Sequence, residues 1–229
     1  MQVKRTEHKI LLNQTEALML KKKLDLIMPR DEHCKTSDGY EIRSLYFDTI
    51  WDRCCAEKEE GLRYHEKIRA RIYGTHGDVI KLELKEKDGE TQTKRTMLID
   101  RKTLDQLSKG QYELLLEYED PMAAIFYKKL SAGMVPKNIV VYQRMSYCLD
   151  VNNIRITFDS KVEATETSFD LFEDPLLTHP VLQENLVILE VKYNNFLLDY
   201  IKNVLQQVEG MPASYSKYFA GRSFYRHMI

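Results

Sequence analysis

The chain has 229 residues and a formal net charge of −1 at pH 7, with 43% hydrophobic and 30% charged residues. This composition is typical of a soluble globular protein, and the nearly neutral total favours neither nucleic acid nor an anionic membrane as a partner. No apolar run reaches the length of a transmembrane helix, and the first residues lack the apolar core of a signal peptide. We therefore expect a cytoplasmic protein without a transmembrane segment of its own, and a membrane partner stays open.

The cysteines indicate a reducing compartment. Cys34, Cys54, Cys55 and Cys148 contain no C-x-x-C spacing, and two of them are adjacent in sequence. This spacing is not that of a disulfide framework or of a zinc site. Reduced thiols in the cytoplasm are the simplest interpretation.

The first half of the chain alternates between strand and helix patterns. The strand Arg5–Leu12 comes first. Asn13 and Glu16 then have the spacing of a capping box and open an amphipathic helix that Pro29 ends. The next predicted elements are the strand Ile42–Asp48, the helix Trp51–Glu59 and the strands Tyr64–Tyr73, Val79–Lys87 and Thr93–Ile99, with a hairpin connection at Gly74–Gly77.

The second half continues the same alternation and contains one long excursion, Thr165–Asn185. No internal repeat, low-complexity linker or charge block interrupts the chain, so we predict a single domain over residues 1–229. The predicted elements are the helices Thr103–Ser108 and Met122–Ala132, the strands Ile139–Asp150, Ile154–Val162 and Leu186–Tyr193, and the helices Phe196–Val208 and Ser216–Arg226.

Most predicted strands have one apolar face and one charged face. Side chains alternate along a strand, so Lys67, Arg69 and Arg71 share one face while the residues between them share the other. For any one strand, a sheet with a solvated side is the simplest explanation. Across all the strands, however, bases outnumber acids on the charged faces, and like charges side by side on a sheet repel. An anionic ligand would relieve that repulsion, and the planar fork of arginine suits phosphate.

Closure of such a sheet into a barrel would place the charged faces inside and leave the apolar faces to amphipathic helices. This arrangement inverts the usual small barrel, whose interior is apolar. A charged interior is tolerable only when it is wet and supplied with counter-charges. A polyphosphate with Mg²⁺ or Mn²⁺ would supply them, since these hard cations bind carboxylate and phosphate oxygens.

Several ordered motifs resemble one family. The segment Tyr40–Thr49 contains S-L-Y-F-D-T, and Gly61–Arg71 contains the pattern G…R…K-x-R-x-R. With the motifs that follow, the chain resembles the polyphosphate polymerase domain of the vacuolar transporter chaperone (VTC), in the CYTH-like superfamily of triphosphate tunnel metalloenzymes. The resemblance implies an α+β fold, in which an eight-stranded antiparallel β-barrel surrounds a basic tunnel and amphipathic helices flank it. The later motifs are Leu82–Lys85, Tyr142–Arg144, Ile188–Lys192 and Ser216–Tyr218.

The resemblance also implies roles for individual residues. Arg5 departs from the E-x-E-x-K signature of the superfamily, because it stands where the first glutamate is expected. Glu190 and Glu7 would hold the Mn²⁺ or Mg²⁺ ion. The catalytic residues that line the tunnel would be Arg69, Arg71, Lys85, Arg144 and Arg155. Further phosphate-binding residues would be Lys9, Lys67, Arg95 or its neighbour Lys94, Tyr142, Lys192, Ser216 and Lys217.

Three functions are compatible with this site. The favoured one is a polymerase that builds inorganic polyphosphate from ATP, because the resemblance is to that branch. The second is a hydrolase of inorganic triphosphate or a nucleoside triphosphate, in which Glu7 or Glu83 orients a water molecule. The third is a polyphosphate-binding module without catalysis. All three predict ATP, polyphosphate or triphosphate as the ligand, and no nucleic acid.

Overall fold

The computed structural model describes residues 5–75, 79–89 and 91–226, and the predicted hairpin residues His76 and Gly77 lie outside these ranges. The described residues form ten strands and six α-helices. The strands are β1 (Arg5–Asn13), β2 (Tyr40–Thr49), β3 (Tyr64–Tyr73), β4 (Ile80–Asp88), β5 (Thr91–Ile99), β6 (Met134–Leu149), β7 (Ile154–Thr165), β8 (His179–Pro180), β9 (Leu186–Asn194) and β10 (Met211–Pro212). The helices are α1 (Gln14–Leu24), α2 (Arg53–Glu59), α3 (Arg101–Ser108), α4 (Pro121–Leu130), α5 (Asp199–Leu205) and α6 (Lys217–Arg226).

The predicted strands and helices are confirmed, with shifts at their ends. Strand β3 has the predicted bounds, whereas β6 begins five residues before the predicted Ile139, and α1 ends at Leu24 rather than near Pro29. Strands β8 and β10 were not predicted, because a two-residue strand is too short to show a period. The 3-10 turns Glu113–Glu117 and Val151–Asn153 complete the regular structure.

The strands pair in the order β10-β1-β9-β7-β6-β2-β3-β4-β5, and β8 pairs with β7. The predicted α+β class with a large antiparallel sheet is therefore confirmed. Among the described residues this order does not close on itself, since β10 and β5 stand at its two ends. The structure does not confirm the closed eight-stranded barrel, which stays a prediction from the resemblance.

The chain divides into two compact units, each built from three stretches of sequence. The described residues of Met1–Glu41, Tyr142–Val162 and Leu182–Ser216 form the first unit. Those of Ile42–Val141, Glu163–Val181 and Lys217–Ile229 form the second. A single domain over the whole chain stays a prediction.

The core of the first unit lies between strands and two helices. Helix α1 buries Ala17, Leu20 and Leu24 against apolar residues of β6, β7 and β9, and α5 adds Ile201 to the same cluster. The capping box predicted before α1 is present, because Glu16 N donates to Asn13 Oδ1 and Asn13 N donates to Glu16 Oε2, each at 2.9 Å. These two bonds satisfy backbone donors that a helix start would otherwise leave unpaired.

In the core of the second unit, helices likewise pack against the apolar face of strands. Ile68, Ala70 and Ile72 of β3 are fully buried, and helices α3 and α4 pack on that apolar side of the sheet. The excursion between β7 and β9 contributes Leu171 to this core. The expectation that amphipathic helices cover the apolar strand faces is thus confirmed in each unit. None of the described helices combines the length and apolar character that a bilayer span requires.

We expect Asn13→Ala to lower the free energy of unfolding by about 1 kcal/mol, because it leaves a donor at the start of α1 without its acceptor. Urea denaturation measures the difference. Glu16→Gln is the matched control, since glutamine still offers a carbonyl oxygen to Asn13 N. Equal losses in the two variants would contradict the role of the Asn13 side chain.

Candidate functional site

One cluster of charged side chains lies on the polar face of the second unit, and we call Arg69, Arg71, Glu83 and Lys94 the arginine cluster. Arg69 of β3 lies opposite Glu83 of β4 in register, and its Nε is 2.7 Å from Glu83 Oε2. Arg71 Nη1 lies 3.8 Å from the same oxygen, and Lys94 of β5 contacts Glu83 Oε1. A single carboxylate therefore serves three cations, and the cluster has an excess of positive charge.

Strand β2 orients both arginines with hydroxyl groups. Tyr46 lies opposite Arg69 and Ser44 lies opposite Arg71 in the β2–β3 register. Arg69 Nη1 donates to Tyr46 Oη at 3.0 Å, and Arg71 Nε donates to Ser44 Oγ at 3.2 Å. Each guanidinium thus has a neutral partner on the neighbouring strand, which fixes its plane.

Glu83 and Arg71 are the buried members of the arginine cluster, whereas the Lys94 side chain is exposed, and the electrostatics of the cluster follow from the buried groups. The exposed fraction is 3% for Glu83 and 6% for Arg71, so a solvated charged face is the wrong explanation for these residues. Burial acts to raise the pKa of Glu83, but Arg69 and Arg71 hold that pKa well below its usual range. Burial also acts to raise the pKa of Tyr46, yet the same arginines lower it to about 8. The positive potential therefore outweighs desolvation at both groups.

A row of lysines crosses the same face. Lys67 of β3 lies opposite Lys85 of β4, which in turn lies opposite Lys94 of β5. Like charges directly opposite on neighbouring strands destabilise a sheet. The structure thus brings the predicted Lys67 and Lys85 together with the arginine cluster, where an anion would offset their repulsion.

The predicted phosphate ligand Arg95 lies elsewhere. It pairs in register with the core residue Leu84, and it contacts Glu86 on that same side of the sheet. Its neighbour Lys94 lies on the face of Arg69 instead, because successive side chains of a strand point to opposite faces. Of the two residues that the sequence left open, Lys94 is the one that joins the cluster.

A second cluster lies on β1 and β9 of the first unit, and we call Glu7, Lys9, Glu190 and Lys192 the lysine–carboxylate cluster. Lys9 Nζ lies 3.3 Å from Glu7 Oε1 and 3.5 Å from Glu190 Oε1. Lys192 Nζ lies 3.8 Å from Glu7 Oε2 and 3.0 Å from Glu190 Oε2. The two ammonium groups thus bridge the same two carboxylates, and the charges of this cluster balance.

The two lysines of this cluster differ electrostatically. Burial acts to lower the pKa of Lys9, but Glu190 and Glu7 raise it above its usual value. The pKa of Lys192 is lowered, because burial and the nearby Arg144 outweigh the same carboxylates. An additional negative charge nearby would therefore stabilise the protonated form of Lys192 more than that of Lys9.

The side chains around Glu190 fit a hard divalent cation that phosphate oxygens of a ligand also coordinate. Thr157 lies opposite Glu190 on β7, and its Oγ1 is buried without a hydrogen-bond partner. Within the described part of the chain, no three His, Cys, Asp or Glu side chains converge on one point. Mg²⁺ commonly takes only one or two carboxylates together with substrate phosphates, so Glu7, Glu190 and the Thr157 hydroxyl suit Mg²⁺ or Mn²⁺ under that condition.

Arg144 of β6 is held by a buried carboxylate. Its Nε and Nη2 donate to the two oxygens of the fully buried Asp159, each at 2.7 Å. Burial acts to lower the pKa of Arg144, but Asp159 raises it well above its usual value. The guanidinium lies 5.3 Å from the ring centre of the predicted Tyr142. A Cβ on Gly39 would lie 2.0 Å from Arg144 O, so the backbone before β2 approaches β6 without a side chain between them.

The remaining predicted residues belong to neither of the two named clusters. Arg155 lies opposite Lys192, and its Nη2 is 2.6 Å from Asp31 Oδ2. Ser216 directly precedes α6, and Lys217 opens that helix. The predicted phosphate-binding roles of these three residues stay predictions.

Sequence reasoning missed Tyr46 and Ser44 as parts of the charged faces. A usable signal was present, because Ser44 and Tyr46 alternate within the S-L-Y-F-D-T segment and so share one face. The same alternation places Thr157 and Asp159 with Arg155 on the polar face of β7, but it does not predict that Asp159 is fully buried or that it holds Arg144.

Comparisons with known proteins agree with this architecture. The family model of the VTC domain matches residues 4–225. No curated protein sequence matches the chain. A candidate adenylate cyclase from Bacillus halodurans aligns with a TM-score of 0.52 at 10% identity, over 94% of this chain and 97% of that one, which shows a shared fold. A second one, from Vibrio parahaemolyticus, aligns with a TM-score of 0.49 at 13% identity, over 94% and 96%.

We expect Glu83→Gln to lower the free energy of unfolding by about 3 kcal/mol at pH 7, since it leaves buried cations without their carboxylate. The pKa of Glu83 is lowered in the folded protein, so its contribution is present above the unfolded value of about 4.3 and is lost as the pH falls below it. Urea denaturation at pH 7 and pH 3.5 should therefore show a smaller difference at the lower pH.

Asp105→Asn is the control for this measurement. It removes the exposed ion pair between Asp105 of α3 and Lys109, the residue that follows the helix, and exposed pairs contribute only about a few tenths of a kcal/mol. A Glu83→Gln variant that is as stable as Asp105→Asn at pH 7 would contradict the role assigned to Glu83.

Proposed function

We propose that this chain, which belongs to the VTC domain family, builds inorganic polyphosphate. It would transfer the terminal phosphoryl group of ATP to the end of a polyphosphate chain. The observation that carries this proposal is the arginine cluster, in which Arg69, Arg71 and Lys94 surround the single carboxylate of Glu83. The lysine row adds further positive charge on the same face. Such an excess of fixed cations favours a ligand with several negative charges.

The arginine cluster would bind phosphate groups without rearranging. Tyr46 and Ser44 already orient the two guanidinium groups, so little reorganisation is needed when an anion binds. Preorganised donors in a buried site contribute strongly to the stabilisation of charge that develops in a transition state. Arg69 and Arg71 would therefore act both in binding and in the transfer step.

The lysine–carboxylate cluster would supply the metal site. Glu7 and Glu190 would hold Mg²⁺ or Mn²⁺, which when bound neutralises phosphate oxygens and so favours the transfer. Lys9 and Lys192, which are paired with these carboxylates, would then turn to phosphate oxygens. Lys192 gains most from that change, because its pKa is lowered in the absence of further negative charge.

The transfer step needs no strong general base. A terminal oxygen of the polyphosphate chain attacks the γ-phosphorus of ATP, the bond from that phosphorus to the β–γ bridging oxygen breaks, and ADP leaves. The attacking oxygen is already anionic, so no proton has to be removed from it. The protein contributes positioning and charge neutralisation, as in phosphoryl transfer generally.

One hydrolytic mechanism is disfavoured, because the carboxylate that would orient the water, that of Glu83, is already paired with Arg69, Arg71 and Lys94. A hydrolase would need a base that orients and deprotonates water, and Glu83 is one of the two carboxylates that the sequence suggested. The pKa of Glu83 is held well below its usual range by Arg69 and Arg71, which makes it a weak base at neutral pH. Hydrolysis through Glu7 stays an alternative that product analysis decides.

We expect Arg71→Ala to lower the rate of polyphosphate synthesis from ATP by roughly a hundredfold or more, because it removes one preorganised donor. Gel electrophoresis of the products shows a polyphosphate ladder, and a parallel assay measures free phosphate. Arg63→Ala is the matched control, since Arg63 is an exposed arginine of the same unit whose guanidinium pairs with the exposed Asp88.

A ladder that is equally strong in Arg71→Ala and in the wild type would contradict the assignment of the arginine cluster. Free phosphate without a ladder would identify a hydrolase. Bound polyphosphate with neither product would identify a binding module.

We expect a chelator to abolish synthesis and Mn²⁺ or Mg²⁺ to restore it. Glu190→Gln should raise the metal concentration for half-maximal activity by at least about tenfold, because a carboxylate ligand is lost. Calorimetric titration with Mn²⁺ in the presence of triphosphate gives a readout that does not depend on turnover. Glu184→Gln, at an exposed position, is the control, and an unchanged Mn²⁺ affinity in Glu190→Gln would contradict the metal site.

A further inference from the structure

Tyr46 is a buried tyrosine whose hydroxyl group faces the arginine cluster. Its exposed fraction is 5%, and its Oη accepts the hydrogen bond from Arg69 Nη1 at 3.0 Å. Arg69 also donates from Nε to Glu83 Oε2 at 2.7 Å. The guanidinium plane is thus set by one charged acceptor on β4 and one neutral acceptor on β2.

The ring of Tyr46 is held in turn by helix α6. The ring of Tyr218 stacks on it with centroids 5.0 Å apart and an angle of 26° between the planes. Tyr218 Oη donates to Asp48 Oδ2 at 2.6 Å, so the stacked ring is tethered at its far end. Asp48 also accepts from Cys54 N at 2.9 Å and from Cys55 N at 3.1 Å, which fixes it to the start of α2.

Helix α6 is anchored at a second point one turn further along. Arg222 donates from Nε and Nη2 to the two oxygens of Asp52, at 3.1 and 2.6 Å, and it also contacts Glu166. Burial acts to lower the pKa of Arg222, but its bonds to Asp52 and Glu166 raise it above its usual value. Two separate ion-pair and hydrogen-bond sites therefore keep Tyr218 against Tyr46.

We propose that Tyr46 is a positioning residue for Arg69, and that Tyr218 of helix α6 holds Tyr46 in that role. The contacts themselves are independent of any activity, whereas the consequence for phosphate binding rests on the proposed function. Helix α6 thus acts on the orientation of Arg69 through two successive contacts, from Tyr218 to Tyr46 and from Tyr46 to Arg69.

The charged groups around Tyr46 give the contact a pH dependence. Lys67, Arg69 and Arg71 of β3 face the phenol and favour its ionised form, and they lower the pKa of Tyr46 to about 8. Glu83 lies beyond Arg69 on β4, and the α6 side presents the neutral Tyr218, behind which lies Asp48 on β2.

The sign of the effect follows from these charges. Below about pH 8 the phenol is neutral and only orients Arg69. Above that pH the phenolate places a negative charge against the guanidinium, which opposes a bound phosphate. The affinity for triphosphate should therefore fall as the pH rises through this range, and by linkage bound triphosphate should raise the pKa of Tyr46.

Ultraviolet difference titration of the protein without ligand tests the contact directly. The chain has 14 tyrosines, and most tyrosines ionise near pH 10. We expect an ionisation step near pH 8 in the wild type, its loss in Tyr46→Phe and its shift to higher pH in Arg69→Gln. Tyr112→Phe is the control, because Tyr112 is a buried tyrosine of the same unit whose hydroxyl donates to Met134 O, and its pKa is raised to about 12.

Calorimetric titration with inorganic triphosphate tests the consequence. At pH 7 we expect Tyr46→Phe to bind triphosphate about tenfold more weakly than the wild type, as for the loss of one hydrogen bond to a charged group. Tyr218→Phe keeps the stacked ring but removes the hydrogen bond to Asp48. Its affinity for triphosphate should therefore fall by a smaller but measurable factor. Tyr112→Phe should bind like the wild type, and the ratio of wild-type to Tyr46→Phe affinity should shrink between pH 7 and pH 9.

A step near pH 8 that persists in Tyr46→Phe would overturn the proposal, as would unchanged triphosphate affinity in that variant. Unchanged affinity in Tyr218→Phe would overturn the part that concerns helix α6. Failure of the wild type to bind triphosphate would instead count against the proposed function, while the ligand-free titration would still decide whether Tyr46 contacts Arg69.

Discussion

The second unit depends on one buried carboxylate that holds three cations. Charged groups are rarely buried unless they are paired, and Glu83 pairs with Arg69, Arg71 and Lys94 at once. The carboxylate lies within ion-pair distance of all three, yet it carries only one negative charge. Folding therefore leaves a fixed positive excess on the polar face of β3, β4 and β5, and the lysine row increases it. The apolar residues on the other face of the same strands stabilise this arrangement by packing against α3 and α4.

The sequence was sufficient to predict which residues share a face, because a strand has a side-chain period of two. Once Tyr64–Tyr73 is recognised as a strand, Ile68 and Ala70 belong to the core and Arg69 and Arg71 to the charged side, as the structure confirms. The pairing between strands was not predictable in the same way. Lys94 and Arg95 are adjacent cations, and alternation with the buried Met97 and Ile99 places Arg95 on the apolar face. Which residues of the neighbouring strand Lys94 meets is shown only by the register, in which Lys94 lies opposite Lys85 of β4. Register depends on contacts between distant segments, which a local pattern does not contain.

Burial of individual charged residues was likewise beyond the sequence. A strand with alternating charges looks the same whether its polar side is solvated or covered. The fully buried Asp159, which holds Arg144 with both oxygens, is therefore indistinguishable in sequence from a surface aspartate. The neutral partners Tyr46 and Ser44 were missed for a related reason, since a pattern of charged residues does not include the hydroxyl groups that orient the two arginines. The closed barrel came from the family resemblance, and it is not confirmed, because the pairing order of the described strands ends at β10 and at β5.

The two clusters differ in charge balance, and under the proposed function this difference separates their roles. The arginine cluster has more cations than carboxylates, so it would bind an anion without any other ion. In the lysine–carboxylate cluster, Glu7 and Glu190 neutralise Lys9 and Lys192, and an anion alone would compete with them for the lysines. A divalent cation changes that balance, because it takes the carboxylates and leaves the ammonium groups to phosphate oxygens. Phosphate binding to the arginine cluster should therefore be independent of metal. Phosphate binding to the lysine–carboxylate cluster should require a bound metal ion. Under the proposed function, a cation that completes the phosphate contacts in this way would couple metal binding to substrate binding.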